Sequence, residues 1–104
     1  MLKSKIATVG EQFRSLRAEA KLSLREVAEK IGIDTSLLGK IERSERRPTK
    51  EHIKQVAKYF KIDEKDLLKE FLSDQIAYKI LEEEADLDTL KVAERKVQYL
   101  KTKQ

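Results

Sequence analysis

The chain is expected to be all-helical, and three features of its 104 residues lead there. Charged residues make up 40% of it while only three Gly and one Pro interrupt it, a composition that suits helices with heavily solvated faces. No stretch alternates apolar and polar residues in the manner of a strand. Apolar residues instead recur at three- and four-residue spacing, bounded by residues that start or stop helices.

The segment Ser23 to Thr49, SLREVAEKIGIDTSLLGKIERSERRPT, organises the rest. Ser23 and Glu26, three residues on, form a capping box that fixes a helix start. Leu24, Val27, Ala28 and Ile31 follow on one face, and Gly32 supplies the left-handed residue that ends a helix of about two turns. Asp34 caps a second helix, with Leu37, Leu38 and Ile41 facing inward and Thr35, Ser36, Gly39, Lys40 and Arg43 facing out. Two short helices joined at a steep angle by a Gly-containing turn make a helix-turn-helix, and the second is narrow enough to enter a DNA major groove.

Thr8 and Glu11 form another capping box, ahead of Val9, Phe13, Leu16 and Ala20 on the inner face of a first helix, with Arg14 and Arg17 on or beside that face. Beyond the motif, Ser44 to Pro48 is a basic loop. Thr49 caps a helix whose inner face is Ile53, Val56, Ala57 and Phe60, and His52 reads as a solvated residue outside that face. Asp63 caps the next helix, with Leu67, Leu68, Phe71 and Leu72 as its apolar face.

The pieces GEQFRSLRAEAKLS, LREVAEKIGIDTSLLGKIER and RRPTKEHIKQVAKYFKID, in that order, resemble the Cro and phage-repressor (Xre) class of DNA-binding regulators over about Gly10 to Leu68. The resemblance implies a five-helix repressor-like helix-turn-helix domain, and a structural ion pair between Arg17 and Glu42. Members of that class often carry a phosphate-contacting Gln where Leu24 stands, so that contact is not expected here. They often have Gly at the positions of Lys21 and Ser44, so these turns either differ or hold a non-Gly residue in the left-handed region at a cost.

Three parts follow: a flexible N-terminal arm over residues 1–7 that is frayed rather than bound to DNA, the helix-turn-helix domain over 8–72, and a C-terminal helical extension over 73–104. In the extension, Ile76, Tyr78, Ile80 and Leu81 indicate that a helix runs on or restarts at Ser73, a restart placing Asp74 in a first turn. After the acidic run Glu82–Glu84, the residues Leu87, Leu90, Ala93, Val97 and Leu100 form an apolar stripe that must pack on something. It folds back on its own domain or pairs with a second subunit. Pairing is favoured, with Ile76, Ile80, Leu87, Leu90, Val97 and Leu100 as the dimerisation candidates; the repeat is too short for a coiled coil.

The formal net charge of +4 is unevenly spread. Residues 1–62 hold 15 Lys and Arg against 8 acids, a net of +7, while residues 63–104 hold 8 against 11, a net of −3. A basic head of this kind suits a polyanion. If the second helix enters the major groove, Thr35, Ser36 and Lys40 face base edges: the hydroxyls donate or accept, and Lys40 donates to guanine O6 and N7. Arg25, Arg43, Arg46, Arg47 and Lys50 surround it as phosphate contacts, which position without specifying.

No Cys is present, which removes disulfides and thiolate chemistry and suits a reducing cytoplasm. With one His and no paired nucleophile and base, no metal, cofactor or catalytic site is expected. No apolar run approaches the roughly 18 residues of a membrane span. The expectation is a cytoplasmic regulator that binds double-stranded DNA as a homodimer on a pseudo-palindromic operator, with restriction-modification control as the first choice of role. The alternative is an antitoxin or interaction module whose C-terminal helices bind a partner protein. RNA is a weaker option, since the basic face has no aromatic platform on which bases would stack.

Overall fold

The computed structural model describes residues 6–104, so most of the expected arm, including Lys3 and Lys5, lies outside the described residues. The described residues form six α-helices and no strand: α1 Val9–Glu19, α2 Leu24–Ile31, α3 Thr35–Glu42, α4 Lys50–Phe60, α5 Glu64–Glu82 and α6 Asp88–Thr102. They divide into two compact units, a head that ends at Asp74 and a tail of Gln75–Gln104.

Side-chain caps start four helices of the head. Thr8 with Glu11 and Ser23 with Glu26 form full capping boxes, Asp34 Oδ2 accepts from the Leu37 N–H at 3.2 Å, and Thr49 caps α4. Each cap satisfies N–H groups that a helix start leaves unpaired, which is why the boundaries follow the Ser, Thr and Asp positions. Gly32 ends α2 in the left-handed region, with φ +75°. Lys21, Ser44 and Lys61 occupy the same region at φ 58°, 63° and 57°. The turns at Lys21 and Ser44 therefore keep the conformation that suits Gly, at the steric cost of a Cβ.

The core of the head is built from Val9, Phe13, Val27, Ala28, Ile31, Leu38, Ile41, Ile53, Val56, Ala57, Leu67 and Phe71, all buried. Helix α3 packs on α1 and α2, and α2 also packs on α4. The approach of α1 to α3 is close enough that a Cβ on Gly10 would collide with the Ile41 carbonyl. Two inner positions read from periodicity are outside the core: Ala20 is the exposed C-cap of α1, and Leu72 is exposed on α5. The restart at Ser73 does not occur. α5 runs unbroken from Glu64 to Glu82, and Asp74 accepts the Val9 N–H at 2.8 Å, serving the start of α1.

Two polar side chains of α1 tie helices together inside the head. Arg17 donates from Nε to Glu42 Oε2 at 2.8 Å, from Nη2 to Glu42 Oε1 at 2.9 Å and from Nη1 to the Leu22 carbonyl at 3.0 Å. Glu42 is 4% exposed and Arg17 18%, and the bond to Glu42 holds the guanidinium still more firmly protonated. Buried Gln12 donates to Glu70 Oε1 at 2.7 Å, joining α1 to α5.

In the tail, the end of α5 turns at Glu84, with φ 53°, and the Ala85 N–H bonds the Ile80 carbonyl at 3.0 Å. Asp86 accepts from the Thr89 N–H at 3.3 Å at the start of α6. No residue of α6 is buried, and Leu87, Leu90, Val97 and Leu100 are each at least 40% exposed.

Replacing Arg17 strands a buried carboxylate and the Leu22 carbonyl, whereas Arg14 is exposed. Arg17→Met should therefore cost about 3 kcal/mol or more, and Arg14→Met should be within about 0.5 kcal/mol of wild type. Urea denaturation of both variants checks this, and equal midpoints would refute the structural role.

Candidate nucleic-acid interface

The outward face of α3 is set by what its inward face buries. Leu38 and Ile41 are buried and Leu37 partly so, which leaves Thr35, Ser36 and Lys40 exposed on the other side. Arg25 near the start of α2, Arg43, Arg46 and Arg47 after α3, and Lys50 at the start of α4 are also exposed. These are the residues that the spacing assigned to bases and to phosphates; all are exposed, and they lie on α2, α3, the following loop and the first turn of α4.

The loop that carries the arginines is fixed by backbone bonds. The Ser44 N–H bonds the Ile41 carbonyl at 3.0 Å, and the Glu45 and Arg46 N–H groups reach the Lys40 carbonyl at 2.9 and 3.4 Å. The Ser44 and Thr8 hydroxyls are 2.9 Å apart and join the loop to the start of α1.

Gly39 is not an open position on this face. A Cβ there would lie 3.2 Å from Arg43 Nη1 and 3.7 Å from Leu24 Cδ1, so the Arg43 side chain lies across it and Leu24 packs beside it. Leu24 also packs on the core, which explains an apolar residue at that position. Arg43 is in turn bonded by Nε to Glu45 Oε2 at 2.9 Å. The periodic reading missed Glu45, because an i,i+2 contact outside a helix follows no helical spacing.

The start of α4 differs from a simple solvated helix end. The Thr49 hydroxyl accepts from the His52 N–H at 3.1 Å, and His52 Nδ1 accepts from the Thr49 N–H at 3.0 Å, a reciprocal box with His in the place of Glu or Gln. His52 is thus a half-buried capping group, which corrects its reading as a solvated residue. The Thr-x-x-His spacing was the available signal. An open cleft of about 470 Å³ beside it is lined by Glu29, Lys30, Glu51, His52 and Gln55 among others, and no residue of α3 contributes.

Among the described residues, no group of three or more His, Asp and Glu could hold a metal, and no helix is long and apolar enough to cross a membrane.

The helix-turn-helix family profile HTH_3 matches residues 13–67, which span α2, α3 and α4 entirely. The chain belongs to the Cro/Xre-type helix-turn-helix family. Its fold is that of DNA-binding regulators, proteins that are generally not enzymes. Among solved structures, it is similar to the restriction-modification controller C.AhdI from Aeromonas hydrophila, with 30% identity over 57% of this chain and 89% of that one and a TM-score of 0.53. It is also similar to SinR, the master regulator for biofilm formation, solved in complex with DNA, with 31% identity over 59% of this chain and 98% of that one and a TM-score of 0.54. Its similarity to the clp gene regulator ClgR from Corynebacterium glutamicum extends further along the chain, with 26% identity over 85% of this chain and 88% of that one and a TM-score of 0.54. No curated protein matches the chain.

Burial pushes the His52 imidazole below its ordinary value of 6.5, against a smaller opposite effect from Glu51. The folded head therefore binds this proton less readily than the unfolded chain. The associated stability is fully present above the unfolded pKa and is lost as pH falls through it toward the folded one. Asp74 has the opposite sign in a lower window: burial raises its carboxyl above 3.8 despite the bond from Val9, so its contribution is present at lower pH and is lost as pH rises through the folded value. Melting temperature should fall between about pH 7.5 and 5.5 in wild type. It should fall less in His52→Gln, which preserves a capping box without the titration; identical slopes would show that His52 is not the group responsible.

Proposed function

We propose that the protein regulates transcription by sequence-specific binding of double-stranded DNA as a homodimer, with two α3 helices in successive major grooves of a pseudo-palindromic operator. The observation that carries this reading is the face of α3: Thr35, Ser36 and Lys40 exposed at its start and one turn on, with Arg25 on α2 and Arg43, Arg46, Arg47 and Lys50 after α3 exposed as well. A helix held by its apolar side against α1 and α2 presents these groups rigidly, as base readout requires. Thr35 and Ser36 offer donors and acceptors and Lys40 a donor for guanine, while the surrounding cations take phosphates. The similarity to a regulator solved with DNA supports the same reading.

The dimer contact is assigned to the tail. Leu90, Val97 and Leu100 on α6, Leu87 at its N-cap and Ile76 on α5 make up an apolar set that its own unit leaves largely uncovered, and the partly buried Ile80 of α5 is assigned with them. Isologous pairing of this set would bury it and would supply the two-fold symmetry that an operator with two half-sites mirrors. Within this reading the role assigned first is control of a restriction-modification system, supported by the similarity to a controller of that kind and by the short helical extension. Such a regulator would act in the cytoplasm. The same exposed stripe is what an antitoxin-like module would offer to a partner protein.

Selection from a randomised duplex pool, followed by sequencing, should return a two-fold-symmetric motif with half-sites about 10 base pairs apart. On the selected duplex, Lys40→Ala should cost about 1 to 3 kcal/mol and relax preference at one position per half-site, whereas Arg46→Ala should weaken all sequences alike. Unchanged specificity in Lys40→Ala would overturn the docking register. Sedimentation should find a wild-type dimer that becomes monomeric in the double variant Leu90→Asp, Val97→Asp. A wild-type monomer that gains helix only with a second protein would replace the homodimer by the interaction module.

A further inference from the structure

Glu45 is the one acid between Arg43 and Lys50, in a stretch that otherwise holds Arg43, Arg46, Arg47 and Lys50. It does not stand apart from them. Its Oε2 accepts from Arg43 Nε at 2.9 Å and its Oε1 from Arg43 Nη2 at 3.4 Å, a two-point engagement of the guanidinium fork of the kind a phosphate also makes. The third nitrogen, Arg43 Nη1, lies over Gly39 on α3. The bond to Arg43 holds the Glu45 carboxyl below its ordinary range, and the charge of Lys40 adds a smaller contribution in the same direction.

This pair is not what holds the fold together. Both side chains are 55% exposed, and ion pairs so open to water contribute little to stability. Partners at this exposure can also exchange without any helix moving. What the pair does is occupy the fork of an arginine whose neighbours face the proposed DNA surface, and cancel its charge there.

We propose that Glu45 is a built-in competitor for DNA phosphate at Arg43: it occupies the guanidinium in the free protein, yields it to a phosphate in the complex, and so limits affinity for every duplex alike. The inference rests on the DNA-binding reading above. Because phosphates are the same in every sequence, the competition lowers affinity without altering which bases are preferred. An arginine already laid over Gly39 also needs little reordering when the exchange takes place.

The test compares wild type, Glu45→Gln, Arg43→Ala and the double variant by fluorescence anisotropy, on a duplex from the selection and on a scrambled duplex, across a salt series. Glu45→Gln should melt with wild type and tighten binding to both duplexes by about two- to fivefold per half-site at 0.1 M salt, the gain expected when an exposed ion pair no longer has to open. The gain should shrink as salt rises, because salt screens the exposed Arg43–Glu45 pair that limits the wild type. In the Arg43→Ala background, Glu45→Gln should change nothing. Weaker binding, a gain that does not shrink with salt, or the same gain without Arg43 would each overturn the competitor role, the last by showing general charge repulsion. A wild type that binds neither duplex at any salt would remove the DNA-binding reading and this inference with it, an outcome distinct from a wild type that binds and a variant that matches it.

Discussion

The Arg17 guanidinium bonds both oxygens of Glu42 at the end of α3 and the Leu22 carbonyl just before α2. One side chain of α1 therefore fixes the far end of α3 and the approach to α2 at once. Glu42 is buried and both its oxygens accept from Arg17, so the geometry is over-determined: any shift of α3 along its axis would strand a charge away from water. Gly10 acts on the same contact from the steric side, because only a residue without a Cβ lets α1 approach the Ile41 carbonyl. Charge pairing and close backbone approach together set the height at which α3 stands on α1, and hence which of its residues face outward.

The rest of the interface depends on that height. Leu38 and Ile41 anchor the helix below, and the loop after it is drawn back by bonds from Glu45 and Arg46 to the Lys40 carbonyl. That loop requires Ser44 in the left-handed region, and its hydroxyl bond to Thr8 offsets part of the steric cost. The arginines after α3 thus belong to a tight turn, which keeps them close in the chain to the residues proposed to face the groove. A single carboxylate in that turn is enough to redirect Arg43.

The tail obeys a different logic. Its helices are closed by local bonds at Ala85 and Asp86, yet α6 buries none of its residues. An apolar stripe that its own unit does not cover is a reason to look to a second chain, since leaving that area in water forgoes about 25 cal/mol per Å². Head and tail therefore divide the work under the proposed reading, one supplying the groove surface and the other the symmetry.

The sequence by itself determined the helices of the head. Ser23, Asp34, Thr8 and Thr49 satisfy the N–H groups next to them in the chain, and Gly32 turns where a Cβ is unwelcome, so these boundaries depend on neighbours a few residues away. The inner faces of α2 and α4 were legible for the same reason, as helical periodicity is local, and the Arg17 to Glu42 link came with the family likeness. Only the tertiary structure decided what depends on residues distant in the chain. Asp74 looked like a residue of a first turn and instead caps α1, 65 positions away; Ala20 and Leu72 kept the apolar period but found no neighbour to bury them. Gly39 fell on the outer face and is covered by Arg43, which Glu45 holds through a turn with no helical register. Periodicity says which side of a helix is apolar, but which atoms arrive there is settled by how the helices meet.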